Sequence, residues 1–189
     1  EVRGTSAVAV QRAAWAHGGV DASRAPTVET QVLDQSLGGY RLRWSAEKGV
    51  RARIGELVGL ALPMPGAVRD WSVGVVRWLR YGSDGDMKVG LDLIARRGHA
   101  VGLRGLDAEG GSQAAVRAIG LMPMDEDAAT GELFLVDSLA GLDGPQVEVV
   151  RNGNRWDFEE GDSAKIYDCG PLRVLRSSGD YLLVGAERG

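Results

Sequence analysis

Apolar residues in this chain alternate with polar ones or run in short blocks cut by Gly, Asp and Pro, and helical spacing is weak throughout. Such two-residue periodicity belongs to strands with one buried face. In the first half it predicts strands over Thr5–Trp15, Thr27–Asp34, Tyr40–Trp44, Glu56–Leu62, Trp71–Tyr81 and Met87–Ala95. Val2–Trp15 also fits a helix. Gly82-Ser-Asp-Gly-Asp86 reads as a hairpin loop. Pro63 and Pro65 end the fourth segment, since proline donates nothing to a central ladder.

A second series follows: Ala114–Met122, Leu133–Asp137, Gln146–Arg151, Arg155–Glu159, Ala164–Tyr167, Leu172–Arg176 and Tyr181–Val184. Arg151-Asn-Gly-Asn-Arg155 predicts a tight turn, because Asn-Gly accepts the positive φ of a type I′ hairpin. Ser177-Ser-Gly-Asp180 predicts another. Between the two series, Gly105-Leu-Asp-Ala-Glu-Gly-Gly-Ser112 lacks a packing pattern and reads as a linker. The expected organisation is a β-barrel domain at 1–105, a linker at 106–112 and a second, acidic β domain at 113–189, a small barrel or sandwich. No sequence repeat relates the halves.

Charge sharpens this division. Residues 1–105 hold 15 Arg and Lys against 10 Asp and Glu, a net of +5; residues 106–189 hold 7 against 16, a net of −9. An anionic ligand would be drawn to the first half. The 189 residues are 44% hydrophobic and 25% charged, which excludes disordered and fibrous classes. Cys169 is the sole cysteine, so neither a disulfide framework nor a cysteine-built zinc site is available, and a cytoplasmic setting is expected. No apolar run reaches the ~20 residues needed for a membrane-spanning helix. Because the chain opens on Glu1 rather than Met, it is expected to be a fragment of a longer protein.

The stretch with most chemistry is Val32-Leu-Asp-Gln-Ser-Leu-Gly-Gly-Tyr-Arg-Leu-Arg-Trp44. Asp34 and Ser36, two residues apart at a strand end, project side by side and offer acceptors plus a rotatable donor. A carboxylate suits the paired N–H edge of guanine. Gly39 would let the backbone turn and a flat ligand approach. A turn cap is the alternative use of Asp-x-Ser. Arg41 and Arg43 flank Leu42 and so share the opposite face of their strand.

This stretch resembles the PilZ family, whose hallmark is [Asp/Asn]-x-Ser-x-x-Gly in a six-stranded barrel and which here reads Asp34-Gln-Ser36-Leu-Gly-Gly39. Gly55-Glu-Leu-Val-Gly-Leu-Ala61, Trp71-Ser-Val-Gly-Val-Val-Arg-Trp-Leu-Arg80 and Lys88-Val-Gly-Leu-Asp-Leu93 follow in the family's order, so the resemblance covers residues 5–104. It implies a receptor for cyclic di-GMP, with Asp34 and Ser36 bonding a guanine and Gly39 permitting its approach. It also implies an upstream Arg-x-x-x-Arg gripping the phosphates. Arg12, 22 residues before Asp34, stands near the second arginine's place, but Val8 stands where the first would be. Arg12, Arg41 and Arg43 are the candidate phosphate contacts.

No nucleophile elbow, phosphate-binding glycine loop or metal-ligand spacing accompanies His17, His99 and Cys169, so neither an enzyme nor a cofactor or metal protein is expected. Trp71 and Trp78, seven apart in one predicted strand, should face opposite ways and put at least one in the core; a nucleic-acid binder is not expected. Asp125-Glu-Asp-Ala-Ala-Thr-Gly-Glu132 reads as an acidic loop, because its glycine and glutamate miss the EF-hand positions. The expected function is signalling: cyclic di-GMP changes the order of residues 1–26 and the contacts made with a partner protein or upstream domain. The alternative is a ligand-independent scaffold on the same barrel.

Overall fold

A computed structural model of the chain describes residues 7–12, 27–45, 52–61, 71–83, 85–124, 131–151 and 165–186. Among them every regular element is a strand, and the pairings are antiparallel. The residues form two compact units, Glu1–Arg97 and Gly98–Gly189.

The first unit contains β1 (Ala7–Arg12), β2 (Thr27–Ser36), β3 (Gly39–Ser45), β4 (Leu57–Ala61), β5 (Trp71–Tyr81) and the first part of β6 (Asp86–Leu106). Within the segment that fitted helix or strand, the described residues Ala7–Arg12 form a strand. β1 pairs with β2, β2 with β3, β3 with β6, β6 with β5, β5 with β4, and β4 again with β1. Each of the six has two neighbours, which removes the exposed edges that invite aggregation. The twelve-strand network as a whole stays open.

Inside the ring, Leu42, Trp44, Val58, Leu60, Val76, Met87, Val89 and Leu91 make one buried cluster. The alternation seen in the sequence creates it, because β3 turns Leu42 and Trp44 inward and Arg41 and Arg43 outward. The indole at the core is Trp44, 2% exposed; Trp71 is half-buried and Trp78 is 40% exposed. The expectation that Trp71 or Trp78 must fill the core was incorrect. A bulge at Arg77, between the pairs formed by Val76 and Trp78, resets the alternation along β5. The predicted hairpin loop closes β5 onto β6, with Gly85 at φ 79° and Gly82 N–H donating to the Asp86 carbonyl at 2.7 Å.

The second unit starts inside β6, whose last residues pair with β9 (Gln146–Arg151) from Gly102 to Leu106. It continues with β7 (Val116–Pro123), β8 (Leu133–Val136), β10 (Lys165–Asp168), β11 (Leu172–Ser177) and β12 (Leu182–Ala186). Arg96 and Arg97, beyond the end expected for the sixth strand at Ala95, are exposed residues of this long strand. The segment expected to link domains at 106–112 is instead a capped hairpin turn within the second unit. Asp107 Oδ1 accepts from the Glu109 and Gly111 amides, Gly110 has φ 80°, and Leu106 bridges Ser112. A run of Gly, Asp and Glu serves a tight turn as readily as a linker, and its internal bonds decide which it is.

Strand order in the second unit is β10-β9-β6-β7-β8-β12-β11. This repeats the first unit's order. The start of the unit in β6 pairs with β7 as β1 pairs with β2, β7 with β8 as β2 with β3, and β8 with β12 as β3 with β6. β10 and β11 share the role of β5: β10 pairs with β9 as β5 does with β4, and β11 pairs with β12 as β5 does with β6. Cys169-Gly-Pro171 interrupts them, with Gly170 at φ 78°. The core holds Leu103, Phe134, Val136, Leu142, Val147, Val149 and Val184. The Asn-Gly turn after Arg151 and the strand expected at 155–159 lie outside the described residues, as do residues 125–130 of the acidic loop.

A candidate nucleotide-binding face on the first unit

The hairpin joining β2 to β3 carries the Asp-x-Ser motif. Ser36 pairs with Gly39 across a two-residue loop, and Leu37 at its tip is 93% exposed. A bulge at Leu33 breaks the register between Val32 and Asp34, and beyond it Asp34 pairs with Arg41. Their side chains meet as well, with Arg41 Nη2 3.4 Å from Asp34 Oδ2. Asp34 Oδ1 accepts the Gln35 amide at 2.9 Å, and Ser36 Oγ donates to the Gly39 carbonyl at 3.4 Å. One carboxylate oxygen thus caps the turn while Asp34 and Ser36 both stay exposed. The exposed ion pair itself contributes about 0–1 kcal/mol to stability.

Gly39 plays a different part from the one expected. It is buried, and a Cβ built there would lie 2.0 Å from the Leu91 carbonyl oxygen of β6. The glycine serves the close approach of two strands; open space beside the hairpin lies at Gly38, where an added Cβ meets nothing within 4 Å. Arg12 ends β1, its backbone paired with Val58. The side chain of Arg12 lies outside the described part of the structure, as do residues 1–6 and 13–26, which include the rest of the arm.

Arg41 and Arg43 emerge on the outer face, where they join residues the sequence did not connect. A cleft of about 340 Å³ is lined by Leu33, Arg41, Arg43, Trp78, Arg80 and Lys88. That volume lies at the lower end of the range for small-molecule sites. Strand register builds it. Asp34 of β2, Arg41 of β3, Gly90 of β6 and Trp78 of β5 form one row, and Arg43, Lys88 and Arg80 form the next. The Trp78 indole occupies the space over Gly90, where a Cβ would lie 2.0 Å from its Nε1. Arg43 Nε stands 3.6 Å from Asp86 Oδ2 and, though shielded from solvent, has no hydrogen-bond partner among the described residues. Arg77, on the bulge, is drawn aside by Asp92, whose Oδ2 accepts from Nε at 2.9 Å and Nη2 at 2.6 Å.

Cys169 is half-buried, donates to the Val147 carbonyl at 3.2 Å, and burial with nearby Glu132 and Asp168 pushes its thiol up to about 11. Among the described residues no group of three His, Cys, Asp or Glu is placed to hold a metal ion. Among them, too, no helix is long and apolar enough to cross a membrane.

The comparisons with known proteins bear on this face. Residues 5–99 match the family described as the middle PilZ domain of the cyclic-di-GMP receptor FimW. The chain is 32% identical over 139 residues to the cyclic-di-GMP receptor FimW of Pseudomonas aeruginosa, which is 73% of this chain but 22% of that protein. It therefore spans about a fifth of the relative's length. Among solved structures, a crystal form of MrkH from K. pneumonia aligns with TM-score 0.34 and 10% identity, over 97% of this chain and 78% of that one. The apo state of MrkH aligns with TM-score 0.34 and 8% identity, over the same shares. On the match over residues 5–99, the chain belongs to the family of FimW middle PilZ domains.

Proposed function

We propose that the first unit is a receptor module for cyclic di-GMP, the ligand named in the description of its relative FimW. The observation that carries this reading is the motif's setting: Asp34 and Ser36 sit exposed on a hairpin whose strand continues into an outward pair of arginines, Arg41 and Arg43. Asp34 accepts from the N1 and N2 hydrogens of a guanine, and Ser36 adds a hydrogen bond beside it. Arg41, already turned toward Asp34, and Arg43 meet the phosphate side, where the planar guanidinium also stacks on a base. Arg12 is the further phosphate contact. Gly39 acts indirectly, by allowing β3 and β6 to pack so that the hairpin is held in place.

The module does no chemistry of its own; it works by binding, in the cytoplasm, and needs no cofactor. Its output is a change in the order of residues 1–26 and in the contacts made with a partner protein or an upstream domain. The two units act as separate domains, and the motif stands only in the first.

Calorimetric titration of the chain with cyclic di-GMP tests the reading. Saturable binding is expected, and Asp34→Ala should weaken it by about 10–100-fold, the equivalent of a charge-assisted hydrogen bond worth about 1.5–3 kcal/mol. Arg12→Ala should weaken it by a similar factor. No heat up to high micromolar ligand would overturn the assignment and leave a ligand-independent interaction scaffold.

A further inference from the structure

The outer face of β3, β6 and β5 carries an electrostatic arrangement that the fold does not need. Arg43 stands directly across from Lys88, and Lys88 directly across from Arg80. Like charges facing each other across antiparallel strands are destabilising, and sheets ordinarily place opposite charges there. Among the described residues, Asp86 is the carboxylate within 4 Å of any of the three cations, and of the three it meets Arg43. Lys88 and Arg80 have none. In the neighbouring row β6 and β5 add no charge, because Gly90 has no side chain and the Trp78 indole occupies the space over it. Leu33, on the bulge of β2, also lines the cleft.

We propose that Arg43, Lys88 and Arg80, with Trp78, are a second subsite for the same nucleotide, taking a phosphate and a purine face. The inference rests on the receptor reading above and adds residues that neither sequence motif contains. Charge complementarity selects the occupant. Three adjacent cations and the solvent-shielded Arg43 Nε–H need an anion with several acceptor oxygens, and a phosphodiester supplies them. The indole beside them offers a flat apolar surface on which a base stacks. The spacing suits a cyclic dinucleotide. Lys88 lies two strands across from Asp34 and about two residues along, a separation on the order of 10 Å given strand spacings of ~4.8 Å and rises of ~3.3 Å. One guanine edge on Asp34 and Ser36 thus leaves a phosphate over Arg43, Lys88 and Arg80. These cations do the work of the arginine that Val8 replaces.

The test uses the full chain and cyclic di-GMP, with calorimetry for affinity and thermal melting without ligand. Lys88→Gln and Arg80→Gln should each weaken binding about ten-fold. Without ligand they should melt at or above the wild-type temperature, because each relieves a like-charge contact. Trp78→Ala should weaken binding several-fold, and Trp78→Phe should restore most of it. Arg96→Gln, an exposed cation further along β6, should bind as wild type. If Lys88→Gln and Arg80→Gln bind as wild type while Asp34→Ala does not, the second subsite is refuted and the receptor reading stands. If the wild-type chain itself binds nothing, both fall.

Discussion

Two adjacent glycines in the motif hairpin separate a fold requirement from a ligand requirement. At Gly39 an added Cβ would sit 2.0 Å from the Leu91 carbonyl oxygen and 3.1 Å from its carbon, and both atoms belong to the backbone of a paired strand. No rotamer change relieves that contact. β3 must move away from β6, although seven consecutive residue pairs hold them together from Gly39–Asp92 to Ser45–Asp86. Overpacking of this kind costs about 1–3 kcal/mol, and a backbone contact belongs at the upper end. At Gly38 the added Cβ meets nothing within 4 Å, and its φ lies outside the left-handed region. Gly38→Ala should therefore be neutral to within about 0.5 kcal/mol. Urea denaturation followed by tryptophan fluorescence reads the difference, because Trp44 is buried in the core the two strands enclose. With a slope of about 1–3 kcal/mol per molar urea, Gly39→Ala should lower the midpoint by about 1 M or more, and Gly38→Ala should leave it unchanged. Equal midpoints for Gly39→Ala and wild type would refute the close-packing role.

Two ion pairs should differ in worth according to their exposure. Arg77 and Asp92 are 46% and 45% exposed, so Asp92→Asn should cost about 1 kcal/mol or less. Arg104 and Glu148, cross-strand partners on β6 and β9, are 29% and 23% exposed; Arg104→Met leaves the carboxylate partly buried without its partner and should cost about 1–3 kcal/mol by urea denaturation. The Cys169 thiol, pushed up to about 11, should react slowly with iodoacetamide at pH 8 in the folded chain and speed up as pH rises toward that value. Its neutral form contributes stability fully below about 9 and loses it as pH passes through about 11; equal alkylation rates in folded and urea-unfolded chains at pH 8 would contradict this.

Local patterning located most strands because alternation and turn chemistry act over a few residues. Trp71–Tyr81 and Gln146–Arg151 match the expected bounds, and the loops at 82–86 and 177–180 join the strands they were expected to join. Where a strand carries polar residues and glycine, local pattern misled. The pattern ends the sixth strand before Arg96-Arg97, yet β6 runs through them to Leu106 because β9, some 40 residues further on, supplies its later hydrogen bonds. The linker expected at 106–112 followed from the same error.

The candidate site divides the same way. Asp34, Ser36 and the outward arginines were legible, since a motif and a two-residue period are local properties. Lys88, Arg80 and Trp78 were not joined to them, for two reasons. The bulge at Arg77 changes which face β5 presents, and the row Arg43–Lys88–Arg80 exists only through the register of three strands. The recurrence of one strand order in both units is equally silent in the residues, because pairing order constrains where burial falls and leaves side-chain identity free. Sequence alone determined that the chain is built of strands, where most of them lie, and which motif it bears. Tertiary structure alone decided which cations meet, because antiparallel pairing brings together residues that chain distance keeps apart.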